Sequence, residues 1–509
     1  MQIVMDEYFE KAFSFLENAQ ESLFLTGRAG TGKSTLLSYF IEHTKKNIVV
    51  LAPTGVAALN VKGETIHSFF HFKPGVTLED AKKEARKVKK KEFYQSIEII
   101  IIDEISMVRA DLLDCVDIFL KTLFSSKKPF GGIRMVFIGD LYQLPPVVSR
   151  EDREYFEQMY ESPYFFSSQV MKDRAFRPRF IELEKIYRQS DEIFISILNS
   201  IRKNSLSEEE LIHLNKRSFL PEKDEGCLYL TTTNASATKI NEEKLAALQG
   251  RLYEYEADME GDFDPKASPT DCTLKLKVGA QVIFLTNQSE GLWVNGTLGK
   301  VVSISQDRIF VQTEEGQEVA VKRFNWTLYK YDFDAKSKKL CQEEVGSFHQ
   351  YPLKLAWALT IHKAQGKSFD KVILDLERGS FAHGQTYVAL SRCRSIEGVF
   401  LKKPLQKSHI LMDYRVVSFL TEYQYALSEE NCSIEEKVLL IEQAIRERRA
   451  IQMVYLKRDD QKSNRKILPQ FVGEMEYNNK KYLGIKAYCT QREEDRIFRV
   501  DRILELSIV

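Results

Sequence analysis

The chain has 509 residues, 43% of them hydrophobic and 29% charged, with a formal net charge of +0 at pH 7. That length exceeds what one hydrophobic core supports, so roughly two to four domains are expected, and the balanced charge excludes a bulk basic field as the basis for holding a polyanion. No apolar run approaches the roughly 18 residues of a membrane span, the start "MQIVMDEYFEKAF" lacks a signal-peptide pattern, and seven scattered cysteines form no Cys-x-x-Cys pair, which points to a reducing cytosol.

In "SLFLTGRAGTGKSTLL" a short apolar strand, 23–25, precedes Gly27-x-x-x-x-Gly32-Lys33-Ser34, and a helix is predicted over 34–42. Strand, glycine loop and helix in that order make a P-loop. The glycines let backbone N–H groups face phosphates and the helix N-terminus adds favourable partial charge. Lys33 is placed to reach the β and γ phosphates and the Ser34 hydroxyl to hold Mg²⁺.

"LAPTGVAAL" (51–59) predicts a further strand, turn and helix, with Thr54 and Gly55 at the turn. His67 and His71 in "HSFFH" lack the neighbouring Glu of a zinc-protease helix and are read as coincidence. The run "GVTLEDAKKEARKVKKKEF" carries Lys82, Lys83, Arg86, Lys87, Lys89, Lys90 and Lys91, either a solvated helical face or a DNA contact. "IEIIIIDEISMV" reads as a buried strand ending in Asp103-Glu104, with Asp103 suited to the metal and Glu104 to drawing a proton from water. "RMVFIGDLYQLPPV" is another strand, closing in Gly139-Asp140 ahead of Gln143, whose amide can sense a γ phosphate. These four strands predict a parallel sheet with its ligand at the carboxyl ends.

Further along, "GCLYLTTTNASATKINEEKLAAL" predicts strand, turn and helix. Residues 253–350 change texture: "AQVIFLT", "KVVSIS", "RIFVQT" and "EVAVK" are short strands broken at Asn295-Gly296, Gln306-Asp307 and Glu315-Gly316, a small antiparallel barrel. A second Gly-Lys-Ser stands at Gly366-Lys367-Ser368, but the first glycine of a P-loop would fall at position 361, which is Ile. "KLAWALTIHKAQG" predicts a helix C-capped by Gly366, and "DKVILDL" and "GVFLK" predict strands.

In order, "TGRAGTGKS", "APTGVAALNVKGETIHSFF", "DEISMV", "GDLYQLPPV", "YRQSD", "LTIHKAQGKSFDKV" and "YVALSRCRS" resemble motifs I, Ia/Ib, II, III, IV, V and VI of superfamily 1 helicases. The likeness is to the Pif (petite integration frequency) branch, with RecD-like enzymes as the next relatives, over roughly residues 20 to 415. It implies an α/β fold of two RecA-like domains, 1–180 and 181–252 with 351–425, a wedge insertion at about 72–95 and an SH3-like insertion at 253–350. The activity implied is an ATP-dependent 5′-to-3′ DNA helicase serving replication, repair, recombination and telomere maintenance. It would act on single-stranded and forked duplex DNA, away from membranes, as a monomer or weak DNA-dependent dimer in the bacterial cytosol.

Carried over by motif, Gly27, Ala29, Gly30, Thr31, Gly32, Lys33, Ser34, Thr35 and Gly366 would hold ATP, and Ser34 and Asp103 the Mg²⁺. Glu104, Gln143, Arg188 and Arg392 would carry catalysis, the two arginines as fingers on the γ phosphate. Thr54, Gly55, His67, Ser68, Thr360, His362, Lys363 and Ser368 would face the DNA backbone. Relatives carry a Gln upstream of the P-loop that reads adenine; in "YFEKAFSFLENAQ" only Gln20 occurs, next to the strand.

After a polar linker at 426–432, Ser433-x-x-Glu436 is a capping box opening a helix with Val438, Ile441 and Ile445 on one face. Residues 433–509 then resemble a WYL domain, with Lys481-Tyr482-Leu483 where Trp-Tyr-Leu gives the name. Tyr455, Arg465, Tyr482, Arg496, Arg499 and Arg502 would suit a single strand, and a packing or dimerisation module is the alternative. Two rival functions stay open: a DNA-binding regulator gated by nucleotide without unwinding, and a subunit of a RecD-containing recombination nuclease.

Overall fold

Six apolar-to-amphipathic segments build the first lobe's sheet: β1 (Leu23–Gly27), β2 (Ile48–Ala52), β3 (Glu64–Thr65), β4 (Ile99–Ile102), β5 (Arg134–Ile138) and β6 (Arg179–Leu183). They run in the order β3-β2-β4-β5-β1-β6, every pair parallel. The computed structural model describes residues 6–149, 152–189, 191–222, 224–265, 268–288, 291–305, 308–334, 337, 339–376, 379–457, 462–477 and 480–509. The turn expected at Gln306-Asp307 lies outside the described residues.

The four strands foreseen are the central four, buried on both faces. The two edge strands escaped notice because β3 has two residues and β6, "RFIEL", is only half-buried. Leu23, Leu25, Val50, Ile99, Ile101, Val136 and Ile138 form one core with Leu36, Leu37 and Phe40 of the helix after the glycine loop, and with Phe9, Ala12 and Leu16 of the helix Glu7–Asn18. Strand order places the carboxyl ends of β4, β5 and β1 side by side, which is where the motifs lie.

The cationic run folds into the helix Leu78–Lys87, opened by a Thr77–Asp80 capping box, with Ala81 and Ala85 buried. Lys82, Lys83 and Lys87 pair with Glu79, Asp80 and Glu84 one turn back, surface pairs worth little each.

The second lobe has a four-stranded parallel sheet in the order Ala358–Thr360, β7 (Leu228–Thr231), Val372–Asp375, Val399–Leu401. Here the structure corrects the expected helix at "KLAWALTIHKAQG". Ala358–Thr360 is a strand, all three residues buried, paired with Tyr229, Leu230 and Thr231. An apolar run rich in Leu and Ala suits either state locally, and pairing to β7 decides it. Turns follow to Gly366, which takes a left-handed φ of 81° as the end of a turn rather than a helix cap.

The insertion carries a five-stranded antiparallel sheet of Glu318–Val321, Ile309–Thr313, Leu298–Ile304, Gln281–Phe284 and Leu353–Leu355, around Leu274, Val282, Phe284, Val311 and Val321. A second sheet, unforeseen, is a long hairpin of Phe324–Asp334 and Lys339–Gln350 beside Asp258–Gly261. This hairpin returns to the first lobe. Tyr331 N donates to Glu64 Oε1 at 2.6 Å, Val50 N to Tyr331 Oη at 3.0 Å, and Gln342 Nε2 to the Lys62 carbonyl at 2.8 Å.

Residues Asp413–Val509 form a separate compact unit. The stretch read as a polar linker is instead the end of an 18-residue helix, Tyr414–Asn431, in which Ser428 is buried and donates to the carbonyls of Ile503 and Leu504. The linker reading failed because that helix shows solvent a mostly polar surface. The capping box opens Ile434–Glu447 as expected, with Ile441 buried and Val438 and Ile445 packed beside it. An antiparallel sheet of Glu494–Arg499, Lys480–Cys489, Lys462–Tyr477, Ile451–Leu456 and Ile503–Ile508 completes this unit.

Candidate active site

β1 ends at Gly27 and the next helix begins at Lys33, so the glycine loop joins a buried strand to a helix N-terminus. Gly30 and Gly32 adopt left-handed φ values of 81° and 85°, and Gly32 caps the helix without any side-chain hydrogen bond, leaving its first amides to a ligand. Thr31 closes the loop by donating to the Arg28 carbonyl at 3.0 Å, and Ala29 N donates to Tyr387 Oη of the second lobe at 3.1 Å. Lys33 Nζ spans the loop, donating to the carbonyls of Gly27 (2.6 Å) and Arg28 (3.0 Å). Burial pushes its pKa down, with Asp140 and Glu104 opposing. Ser34, exposed, and Thr35, half-buried, occupy the helix's first turn.

Across from the loop, Asp103 and Glu104 follow β4 and Asp140 follows β5. Glu104 is a non-glycine residue at φ 51°, ψ 43°, a strained conformation of the kind stored at functional sites. Burial raises the Asp103 pKa, and burial followed by Asp103 pushes Glu104 up to about 7. Two adjacent carboxyls, Asp103 buried and Glu104 half-buried, suit a hard dication, whose charge offsets what burial costs them. Asp140 is buried and pairs with Arg202 at 3.2 Å, while Gln143 Nε2 donates to its other oxygen at 3.3 Å. Arg202 lies 3.9 Å over the Tyr142 ring.

The second lobe brings two guanidinium groups to this face. A Cβ built on Gly30 would come within 2.5 Å of the Arg188 Cβ, so Arg188 is seated on the loop itself. Its Nη2 donates to the Gly366 carbonyl at 3.0 Å, while its Nη1 is buried with no partner. Arg392 is 1% exposed and donates to the carbonyls of Val388 (2.9 Å) and Lys367 (3.3 Å). Burial, then Arg188, pushes its pKa down to about 9, with Glu104 and Asp140 opposing. Gln189 ties the two arginine segments together, donating to the carbonyls of Ser391 and Cys393, each at 3.1 Å. Among the described residues neither arginine forms an ion pair: Arg188, half-buried against the glycine loop, keeps an orphaned N–H, and Arg392 is buried close enough to Arg188, Glu104 and Asp140 to feel their charges. A polyphosphate fits that donor set.

The residues assigned to DNA stand at strand ends in both lobes. Thr54 is exposed and caps the helix Gly55–Asn60, accepting from Ala57 N at 3.3 Å while keeping a hydroxyl proton to donate. Ser68 donates to Glu64 Oε2 at 3.0 Å, and His67 is half-buried with its pKa lowered by that burial. In the second lobe Thr360 is buried and accepts from Lys363 N at 3.3 Å, a turn cap. His362 and Ser368 are half-buried, and Lys363 is exposed. Lys367, the odd cation of the second triplet, turns from the cleft and pairs with Asn295 Oδ1 of the insertion.

Sequence reasoning missed Gln365, Tyr387 and Arg202. Arg202 left a trace: it falls on the same helical stripe as Phe194 and Leu198, a cation on an apolar face. Gln365 and Tyr387 lie inside the stretches read as motifs V and VI, which was their signal, but nothing local distinguishes a cleft amide or phenol from a packed one.

Residues 4–211 match the model of the PIF1-like helicase family, and residues 436–508 that of the WYL domain. The chain is 34% identical over 415 residues to the ATP-dependent DNA helicase Pif1 of Bdellovibrio bacteriovorus, covering 79% of this chain and 89% of that protein. It is 35% identical to the mouse ATP-dependent DNA helicase PIF1, covering 74% of this chain but only 57% of the longer mouse protein. Among solved structures, Bacteroides sp Pif1 with ADP-AlF4 superposes with a TM-score of 0.76 at 36% identity, covering 83% of this chain and 98% of that one. The same protein bound to single-stranded DNA gives 0.60 at 36% identity, covering 84% and 98%. With the glycine loop, the carboxylate pair and both arginines on one face, and these likenesses along most of its length, the chain belongs to the PIF1-like helicase family and ends in a WYL domain.

Proposed function

We propose that the chain is an ATP-driven motor that moves 5′ to 3′ on single-stranded DNA and separates duplex as its two RecA-like lobes close on each nucleotide. Family membership makes it an ATP-dependent DNA helicase; direction and closure are what is proposed. The observation that carries the reading is the seating of Arg188 on Gly30: a second-lobe cation meets the first lobe's phosphate loop.

In this reading Gly27, Ala29, Gly30, Thr31, Gly32 and Thr35 line the phosphates, and Lys33 neutralises the β and γ groups. Ser34 and Asp103 would hold a Mg²⁺, which when bound would supply charge neutralisation for the polyphosphate. Glu104 takes the proton of the attacking water, and Gln143 senses the γ phosphate. Arg188 and Arg392 neutralise charge developing in the transition state, and Gly366, accepting from Arg188, carries the loss of phosphate into the second lobe.

Thr54, Gly55, His67 and Ser68 on the first lobe, and Thr360, His362, Lys363 and Ser368 on the second, contact DNA phosphates, so closure shifts one set along the strand relative to the other. The Bacteroides Pif1 structure with single-stranded DNA supports that partner. Forked duplex is the substrate and a monomer or weak DNA-dependent dimer the working form. Seven free cysteines among the described residues support a reducing bacterial cytosol. In the tail, Arg499 stands 5.5 Å over the Tyr482 ring, a cation and an aromatic face that suit a single strand.

Unwinding of matched duplexes bearing a 5′ or a 3′ tail tests the proposal. Only the 5′-tailed duplex is expected to open. Opening of the 3′-tailed one alone reverses the direction, and DNA-stimulated ATP hydrolysis with neither opened favours the regulator.

A further inference from the structure

Gln365 belongs to the second lobe, on the turn after Ala358–Thr360, yet its side chain ends in the first. Its Nε2 donates to Glu104 Oε2 at 3.2 Å and to Gln143 Oε1 at 3.0 Å. Those acceptors follow different strands, Glu104 after β4 and Gln143 after β5. Among the described residues Gln365 is the hydrogen-bond partner of the Glu104 carboxylate.

The turn that presents Gln365 is itself held. Arg188 donates to the carbonyl of the next residue, Gly366, at 3.0 Å, and Arg392 to that of Lys367 at 3.3 Å. The Lys367 ammonium pairs with Asn295 of the insertion. A primary amide offers two N–H donors and no charge, so it can orient a carboxylate without neutralising it. A lysine or arginine at 365 would hold Glu104 more strongly and make it a poorer base.

We infer that Gln365 is a positioning residue for ATP hydrolysis, fixing the Glu104 carboxylate and the Gln143 amide together across the cleft. The base is then aligned only while the second-lobe turn is seated, which makes proton abstraction conditional on closure. The inference deepens the motor reading and rests on Glu104 being the base.

The test is a double-mutant cycle on the full chain with a single-stranded oligonucleotide as activator, reading kcat and KM for ATP. Gln365→Leu is expected to lower kcat roughly tenfold to a hundredfold with KM changed less than about threefold. Gln365→Glu keeps the side chain's shape, removes the donor and adds a like charge, and is expected to lose at least as much. Glu104→Gln is expected to lose more than either, and Glu104→Gln with Gln365→Leu at most about threefold more than Glu104→Gln alone, because only the Gln143 amide is then left to align. Losses that multiply in the double variant, or wild-type kcat in Gln365→Leu, overturn the inference. Normal turnover by Glu104→Gln overturns the base assignment beneath it, and that single variant distinguishes the two failures.

Discussion

Arg188 and Gly30 are in backbone-to-side-chain contact so close that no residue larger than glycine fits: a Cβ at position 30 would sit 2.5 Å from the Arg188 Cβ. The obstruction lies at the root of the arginine side chain, which cannot swing aside as its tip could. Gly30 also holds φ 81°, where an L-residue costs about 1–2 kcal/mol. Gly30→Ala is therefore expected to lower ATP turnover by at least about a hundredfold while secondary structure by circular dichroism stays unchanged. Turnover within a few-fold of wild type would show that the arginine does not need this seat.

Lys33 donates to two loop carbonyls, and burial lowers its pKa. Lys33→Ala is expected to lose DNA-stimulated phosphate release by about three orders of magnitude or more. Residual turnover near wild type would mean that phosphate is held elsewhere.

Arg392 is fully enclosed, with three of its hydrogen bonds going to Val388, Lys367 and Ser391. A lysine cannot reproduce that planar fork. Arg392→Lys and Arg392→Ala are therefore expected to be similarly impaired, by about 10³ in kcat, with nucleotide binding largely kept. Rescue by lysine in single-turnover hydrolysis would reduce the role to bare charge.

The parts of this molecule that could be read from the chain are those whose neighbours in space are neighbours in sequence. β1, the glycine loop and the following helix lie within about twenty residues, and strand burial, glycine φ and helix start all follow from local pattern. Asp103 and Glu104 were placed by the four isoleucines before them. Ala358–Thr360 was misread because its partner, β7, lies far back in the chain and three buried residues carry no period. The hairpin Phe324–Asp334 and Lys339–Gln350 went unseen because its first strand is mostly half-buried and its second exposes a charged, polar half, so both look like surface. Gln365 joined the candidate site only through its partners, one of them 261 positions away.

Lys367 gives a pH dependence. Burial lowers its pKa from 10.5 to about 8, so between those values the unfolded chain binds more protons than the folded one and stability rises with pH. Lys367→Met removes this dependence. Its gain over wild type is expected to be on the order of 1–2 kcal/mol near pH 7 and to shrink toward pH 10, read as the difference in apparent melting temperature. A difference constant across that range would place the ammonium in solvent.

Truncation at the boundary of the two compact units, removing Asp413–Val509, is expected to leave ATP hydrolysis by the remaining chain within about twofold, since every cleft residue precedes it. Affinity for a single-stranded oligonucleotide is expected to fall several-fold, with a shallower salt dependence. Unchanged affinity and salt slope would return the tail to a packing or dimerisation role.

The hairpin that crosses back to the first lobe has a consequence for synthesis. Glu64 meets its backbone partner at Tyr331, 267 residues later, and Val50 waits still longer for the Tyr331 hydroxyl. As the nascent chain leaves the ribosome, the first lobe can assemble its sheet while the Val50 amide and the Glu64 carboxylate stay open to water. At a bacterial elongation rate of about 5–20 residues per second, that interval lasts on the order of ten seconds or more. During it the growing protein presents an unguarded sheet edge, and chaperone occupancy of stalled chains should therefore peak before residue 331 emerges and fall after residue 350.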